Sequence, residues 1–140
     1  MILLVEDNED DVFIMERAML KLPLKHRMHV AADGRQAVDY LQGSGKYSDR
    51  LAYPIPSLIF LDLKLPFLHG FEILEWINTQ RLLKNVPVAI LTSSAEPKDR
   101  EKAIRLGAKT FLVKPPTPET LTQVFELILD APPPRQYVSK

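Results

Sequence analysis

Four short apolar runs in this chain end in polar residues that can carry out chemistry, and this regularity constrains the fold more than any other feature. The polar residues are, in chain order, Glu6, Asp7, Asp62, Thr92 and Lys114. Short, uniformly apolar strands are typical of parallel sheets, and the carboxyl ends of parallel strands meet at one edge of the sheet. We therefore predict that these five side chains lie at a common sheet edge.

The apolar runs alternate with longer segments in which apolar residues recur at helical spacing. The predicted strands are 2–5, 27–31, 57–61, 86–91 and 110–113. The predicted helices are 10–21, 34–42, 70–80, 97–106 and 118–130. Five successive βα units of this kind indicate an α/β fold, with a parallel sheet and crossover helices.

Individual helix signals vary in clarity. The last helix begins well, because Thr117 can cap its first turn and Pro118 suits the first helical position. Gly107 stands where the end of the fourth helix needs a left-handed residue. In the third helix, the apolar stripe predicted from spacing leaves out Ile73 and Trp76, and we interpret Trp76 as a packing residue.

Composition excludes several classes of function. A chain of 140 residues with 18 basic and 18 acidic side chains is predicted to be one domain without the cationic surface of a nucleic-acid binder. It contains no cysteine, which excludes disulfides and thiol catalysis. No apolar run approaches the roughly 20 residues that span a bilayer, and the first residues do not resemble a signal peptide. We expect a soluble, cytoplasmic protein.

Two stretches fall outside the alternation. Residues 42–57 contain Gly43, Gly45 and two prolines, and we predict a long connection without regular structure, either an inserted surface loop or a loop that docks a partner. Residues 131–140, which include three consecutive prolines, are predicted to be an extended C-terminal tail. The folded domain is therefore expected over residues 1–130.

If the first and third strands are neighbours, Glu6, Asp7 and Asp62 converge in one pocket. Carboxylates about 4 Å apart repel by roughly 1 to 4 kcal/mol per pair, so a cation is needed to offset the repulsion. Mg²⁺ takes one or two carboxylates and leaves room for a phosphate oxygen. With Lys114 and Thr92 from neighbouring strands, the pocket suits a carboxylate that attacks phosphorus.

The motifs that carry these residues resemble those of the response-regulator receiver domains of two-component signalling. They are Val-Glu-Asp at 5–7, Leu-Asp-Leu-Lys-Leu-Pro at 61–66, Leu-Thr-Ser at 91–93 and Val-Lys-Pro at 113–115. The resemblance covers about residues 1–130. It implies a (βα)5 flavodoxin-like three-layer sandwich with strand order 2-1-3-4-5 and the site at the switch point.

The resemblance also implies a role for each residue. Asp62 would be the phosphoacceptor, Asp7 a direct ligand of Mg²⁺ (or of Mn²⁺ in its place), and Glu6 a metal-site carboxylate acting through water. Lys64 would contribute its backbone carbonyl to the metal, and Asp62 would also be a ligand.

Three further roles concern the response to phosphorylation. Thr92 and Lys114 would bind the phosphoryl oxygens. Phe111 would act with Thr92 as the switch that reports phosphorylation. The peptide bond before Pro115 would be cis.

A protein of this kind is not an enzyme but a phosphoacceptor that assists its own phosphorylation and dephosphorylation. It would accept the phosphoryl group from a sensor histidine kinase and signal to a downstream protein. The long connection before the third strand and the short tail resemble the small regulators that partner phytochrome-type histidine kinases. Such regulators often form homodimers through the face made by helix 4, strand 5 and helix 5, where Leu127 could contribute.

Two alternatives remain open on the same fold. One is an adaptor that binds its partner whether or not it is phosphorylated, and the other is a small aspartyl-phosphate phosphohydrolase. The second would ordinarily need a carboxylate two residues after Asp62, where Lys64 stands. The three histidines are assigned no ligand role: His69 is expected to be exposed and idle in a turn, and His26 and His29 lie at the second strand.

Overall fold

A computed structural model describes residues 1–23 and 25–128. The strands are β1 (Ile2–Val5), β2 (Met28–Ala31), β3 (Leu58–Leu61), β4 (Val88–Thr92) and β5 (Thr110–Val113). The helices are α1 (Glu9–Leu20), α2 (Gly34–Gln42), α3 (Gly70–Asn78), α4 (Pro97–Arg105) and α5 (Pro118–Ile128). Two short 3₁₀ helices span Gly45–Ser48 and Arg81–Leu83. The predicted tail, 131–140, lies outside the described residues.

The five strands form one parallel sheet in the order β2-β1-β3-β4-β5. This order confirms the predicted topology. Val5, the last residue of β1, is level with Leu61, the last residue of β3. The residues that follow these two strands are therefore delivered side by side at the same edge of the sheet.

Helices cover both faces of the sheet, which explains why β1, β3 and β4 are buried along their whole length. On one face, α1 and α5 contribute buried residues to a single apolar cluster. On the other face, α2, α3 and α4 contribute to a second cluster. The result is the predicted three-layer sandwich. Within the described residues, no helix has both the length and the apolar character needed to cross a membrane.

Packing corrects two details of the sequence-based assignment. Ile73 was predicted to lie off the apolar stripe of α3, yet it is buried in the core, because α3 packs against both the sheet and the neighbouring helix α2. Trp76 is half-buried against the same cluster, as a packing residue should be. Thr92 does not follow β4 but is its last residue.

The prediction of a connection without regular structure over 42–57 is wrong for residues 45–48, which form the 3₁₀ helix. Long-range contacts order this segment. The guanidinium of Arg50 donates to the carbonyl oxygens of Tyr40 and Leu41 at 2.8 Å each and to that of Tyr53 at 3.1 Å. Two of these carbonyls belong to the last turn of α2, where the helix supplies few donors, although that of Tyr40 also accepts from the Gly43 amide at 3.1 Å. Arg50 therefore fastens the segment to the end of α2.

An aromatic cluster fills the space between this segment and the edge strand β2. The ring of His29 in β2 stacks at a tilt on Tyr40, with centroids 4.8 Å apart, and meets Tyr47 and Tyr53 edge-on. Burial, and to a smaller extent the charge of Lys46, lowers the pKa of His29. His29 is thus a packing residue of the insertion, in agreement with its having no predicted ligand role.

Candidate functional site

Three carboxylates converge at the carboxyl edge of the sheet. Glu6 and Asp7 follow β1, Asp62 follows β3, and one oxygen atom from each lies within 4.8 Å of the other two. Glu6 and Asp62 are buried, whereas Asp7 is exposed. Carboxylate oxygens at this spacing are the donor set that a hard divalent cation such as Mg²⁺ prefers. The arrangement therefore fits such a cation.

Lys114, which follows β5, reaches into the same pocket. Its ammonium nitrogen lies 2.6 Å from Glu6 Oε1, 2.9 Å from Asp62 Oδ2 and 2.8 Å from Asp11 Oδ2. The Lys114 side chain is 11% exposed, and the Glu6 and Asp62 side chains are 2% and 7% exposed. The buried negative charge is thus paired with a largely buried ammonium group.

Asp11 was not singled out from the sequence. It lies in the first turn of α1, four residues after Asp7, and its contact with Lys114 joins residues 103 positions apart. A run of acidic residues before a helix also suits the helix N-terminus, so nothing in the sequence distinguished Asp11 from its neighbours Glu9 and Asp10. Only the packing of α1 against α5, which brings Asp11 to the Lys114 side chain, does so.

The pocket shifts the acidity of two groups. Burial raises the pKa of Glu6 to about 7, and the nearby Asp62 charge adds to the rise, although the hydrogen bond from Lys114 opposes both. Burial acts to lower the pKa of Lys114, but its hydrogen bonds to Asp11, Glu6 and Asp62 outweigh burial and raise that pKa above its usual value. Lys114 therefore keeps its positive charge. A second cation in the pocket would favour the charged form of Glu6.

The other predicted site residues occupy neighbouring strand ends. Thr92 is fully buried at the end of β4, and its hydroxyl oxygen accepts a long, 3.4 Å hydrogen bond from the Ser94 amide. Phe111 is buried in β5, level with Ile90 of β4. Lys64 has an exposed side chain, and its amide donates to Asp62 Oδ1 at 3.2 Å. This last contact fixes the orientation of the Asp62 carboxylate.

The loop from Asp62 to α3 is fastened at its far end. The amide of Gly70 donates to the carbonyl oxygen of Leu63 at 2.8 Å, and a Cβ atom at Gly70 would collide with the backbone of Asp62 and Leu63. His69 is exposed as predicted but is not idle. It caps α3, because its Nδ1 accepts from the Phe71 amide while Glu72 accepts from the His69 amide.

Phe67 lies at the outermost point of this loop. Its φ of +71° and the 2.8 Å hydrogen bond from the Leu68 amide to the Pro66 carbonyl oxygen define a γ-turn of the rare, strained hand. The ring is 86% exposed. Of the described residues, Phe67 is the only one other than glycine with a positive φ. The peptide bond between Lys114 and Pro115 is cis, as predicted.

Comparison with known proteins agrees with this geometry. The family model described as the response regulator receiver domain matches residues 2–126. The chain is a response regulator receiver domain. The resemblance inferred from the motifs is therefore confirmed, together with the flavodoxin-like fold.

A curated relative of this receiver domain also has a solved structure that is similar to it. Response regulator Rcp1 of Synechocystis is 34% identical over 113 residues, covering 81% of this chain and 75% of Rcp1. The structure of Mn²⁺-bound Rcp1 matches with a TM-score of 0.79 at 30% identity, covering 95% of this chain and 97% of the other.

Two further solved structures are similar. The phosphorylated cyanobacterial phytochrome response regulator RcpA matches with a TM-score of 0.79 at 31% identity, covering 92% of this chain and 93% of the other. The bacteriophytochrome response regulator AtBRR matches with a TM-score of 0.81 at 37% identity, covering 91% and 90%. This chain is thus a response regulator receiver domain similar to Rcp1 and to the bacteriophytochrome response regulator AtBRR.

Proposed function

We propose that Asp62 accepts a phosphoryl group from a sensor histidine kinase and that this modification switches the protein's interaction surface. The observation that carries the proposal is the convergence of Asp62 with two further carboxylates and Lys114 at one edge of the sheet. Asp62 is held by a hydrogen bond from Lys114 and another from the Lys64 amide. A buried carboxylate held from two sides is oriented for attack on one phosphorus atom.

The transfer requires little covalent chemistry from the protein. An oxygen of Asp62 forms a bond to phosphorus while the bond from phosphorus to the phosphohistidine nitrogen of the kinase breaks and the electron pair stays on that nitrogen. Lys114 passes its contact from the attacking carboxylate to a phosphoryl oxygen, and the Thr92 hydroxyl donates to another. The protein therefore assists its own phosphorylation by orientation and by charge, and the same groups would act in the later hydrolysis.

Glu6, Asp7 and Asp62 would hold Mg²⁺, or Mn²⁺ in its place, together with the backbone carbonyl of Lys64. The ion would supply positive charge where the transferring group gathers negative charge. Two observations support this proposal: the donor set of the pocket, and the similarity of the chain to the Mn²⁺-bound form of Rcp1. Glu6 would contribute fully as a carboxylate only when the ion offsets its burial.

Phosphorylation would be reported by Thr92 and Phe111. Both are buried in adjacent strands, so a movement of the Thr92 hydroxyl towards a phosphoryl group changes the space available to the Phe111 ring. The surface above them belongs to α4, β5 and α5 and exposes Ile104, Val113 and Leu127. We propose this α4-β5-α5 face as the contact for a homodimer or for the downstream protein.

The kinase proposed here is of the phytochrome type. The support is the similarity to Rcp1, to the phytochrome response regulator RcpA and to the bacteriophytochrome response regulator AtBRR. Transfer from such a kinase would place the protein in the cytoplasm, where the kinase obtains its ATP. Residues 1–130 would form the receiver domain in this proposal.

The test is phosphoryl transfer from an autophosphorylated bacteriophytochrome kinase, followed on gels that retard phosphoproteins. With Mg²⁺ we expect a retarded, phosphorylated band of the wild type. No such band is expected with a chelator or with Asp62→Asn. Transfer to Asp62→Asn would contradict the assignment of the acceptor. Transfer from small phosphodonors alone would retain the acceptor and reject this class of kinase.

A further inference from the structure

Asp11 contacts Lys114 but belongs to none of the motifs that carry the site residues. Its carboxylate lies 2.8 Å from the Lys114 ammonium and its side chain is 32% exposed, which makes it the most accessible of the three carboxylates around that group. Asp10, the residue before it, is exposed and has no side-chain hydrogen bond within the described part of the chain. Two adjacent aspartates in one helical turn thus differ in their contact with Lys114 and in their exposure.

The donors of Lys114 are fully used. An ammonium group carries three protons, and Glu6, Asp11 and Asp62 each supply an oxygen atom within 2.9 Å. Glu6 and Asp62 are also two of the three carboxylates that a divalent cation would bind. Lys114 and the cation therefore compete for the same two carboxylates.

Asp11 affects how readily Lys114 can release Glu6 and Asp62 to the cation. When a cation draws Glu6 and Asp62 away, Lys114 keeps one carboxylate of its own at the α1 side of the pocket. If Asp11 were neutral, the largely buried ammonium would have to remain on Glu6 and Asp62 or lose its charged partners. If it remained on Glu6 and Asp62, the Lys114 ammonium would repel the incoming cation.

We propose that Asp11 is a positioning residue that holds the Lys114 ammonium at the α1 side of the pocket and thereby leaves Glu6 and Asp62 available to a divalent cation. This inference rests on the proposed function only in assigning the cation site a use in phosphoryl transfer. The contact between Asp11 and Lys114 predicts a change in cation affinity whether or not Asp62 is phosphorylated.

The test is the binding of Mn²⁺ as the probe ion, followed by the EPR signal of the free ion. We expect Asp11→Asn to weaken binding about tenfold, the effect of about 1.4 kcal/mol. Asp10→Asn, which removes the same charge from the same turn, should weaken it by no more than about twofold, since exposed charges are screened. Asp11→Glu should restore most of the affinity, because it restores the carboxylate.

A second comparison shows whether Asp11 acts through Lys114. In a Lys114→Met background, Asp11→Asn should have no larger effect than Asp10→Asn. Equal effects of the two aspartates in the wild-type background, or an undiminished effect of Asp11→Asn without Lys114, would overturn the proposal.

Phosphorylation of the wild type by acetyl phosphate is measured separately. Its absence would reject the proposed function while leaving the coupling of Asp11 to Lys114 intact. Coupling that is absent in a protein that is phosphorylated would reject only the role of Asp11.

Discussion

Removal of the Lys114 charge should destabilise the metal-free protein and leave it dependent on Mg²⁺. In Lys114→Met the side chain keeps much of its length and apolar character, but Glu6 and Asp62 lose their common hydrogen-bond donor. Both side chains are less than a tenth exposed, so water cannot replace the ammonium fully. Two carboxylates then face each other without a cation.

The size of the effect follows from the geometry. Carboxylate oxygens within 4.8 Å of each other repel by about 1 kcal/mol in water and by about 3.5 kcal/mol at an effective dielectric constant of 20, and burial favours the higher figure. Leaving a buried charge without its partner generally costs about 3–5 kcal/mol. We therefore expect Lys114→Met to lower the free energy of unfolding by about 3 kcal/mol. Such a loss corresponds to a fall of about 10 °C in Tm for a domain of this size. Part of this cost can appear as protonation of Glu6, because the variant lacks the hydrogen bond from Lys114 that opposes the rise in the Glu6 pKa.

Urea denaturation followed by far-UV circular dichroism and by the fluorescence of Trp76, the single tryptophan, provides the measurement. With a chelator the variant should show the full loss, and with excess Mg²⁺ the difference from the wild type should shrink, because the ion meets no competing ammonium. The control is Lys109→Met, an exposed lysine immediately before β5, which should change stability by less than about 0.5 kcal/mol. A Lys114→Met variant as stable as the wild type in chelator would refute the charge balance described for this pocket.

Three further outcomes are expected. Arg50→Ala should lower the free energy of unfolding by about 2–3 kcal/mol in a urea titration, because three carbonyl oxygens lose a charged donor; no loss would mean that water replaces the guanidinium. Phe67→Gly should leave stability unchanged or raise it by up to about 1 kcal/mol in the same titration, since it relieves backbone strain at an exposed ring; a clear loss would show that the ring packs. His29 has a lowered pKa, so the unfolded chain binds more protons at this residue and the His29 contribution to stability should fall as the pH drops through about 6.5; because the raised pKa of Glu6 acts in the opposite direction, the contribution of His29 is the difference between thermal melts of the wild type and of His29→Phe, and a difference that does not change with pH would contradict it.

Local sequence signals were sufficient for the sheet and for most of the pocket. The run before Asp62 is uniformly apolar, as expected of a parallel strand that is buried on both faces. Such a strand ends where the first polar residue, here Asp62, stands at the edge of the sheet. Glu6, Asp62 and Lys114 could therefore be assigned to one place from their position after such runs. The register of β1 with β3 brings about the convergence that the pattern predicted.

The features that were missed depend on contacts between distant parts of the chain. The contact of Asp11 with Lys114 requires the packing of α1 against α5, which no spacing along the chain encodes. The order of residues 45–48 depends on Arg50 reaching back to the end of α2, and the burial of Ile73 depends on a second neighbour of α3. For His69, a signal was available, because Glu72 stands three residues later as in a capping box, although histidine is not a usual N-cap residue.

The central proposal, that Asp62 is the phosphoacceptor, is tested most directly by intact mass after incubation with acetyl phosphate and Mg²⁺. The wild type should gain the mass of one phosphoryl group, and the gain should be absent in Asp62→Asn and in the presence of a chelator. A gain that persists in Asp62→Asn, or no gain in folded wild-type protein that binds Mg²⁺, would contradict the proposal.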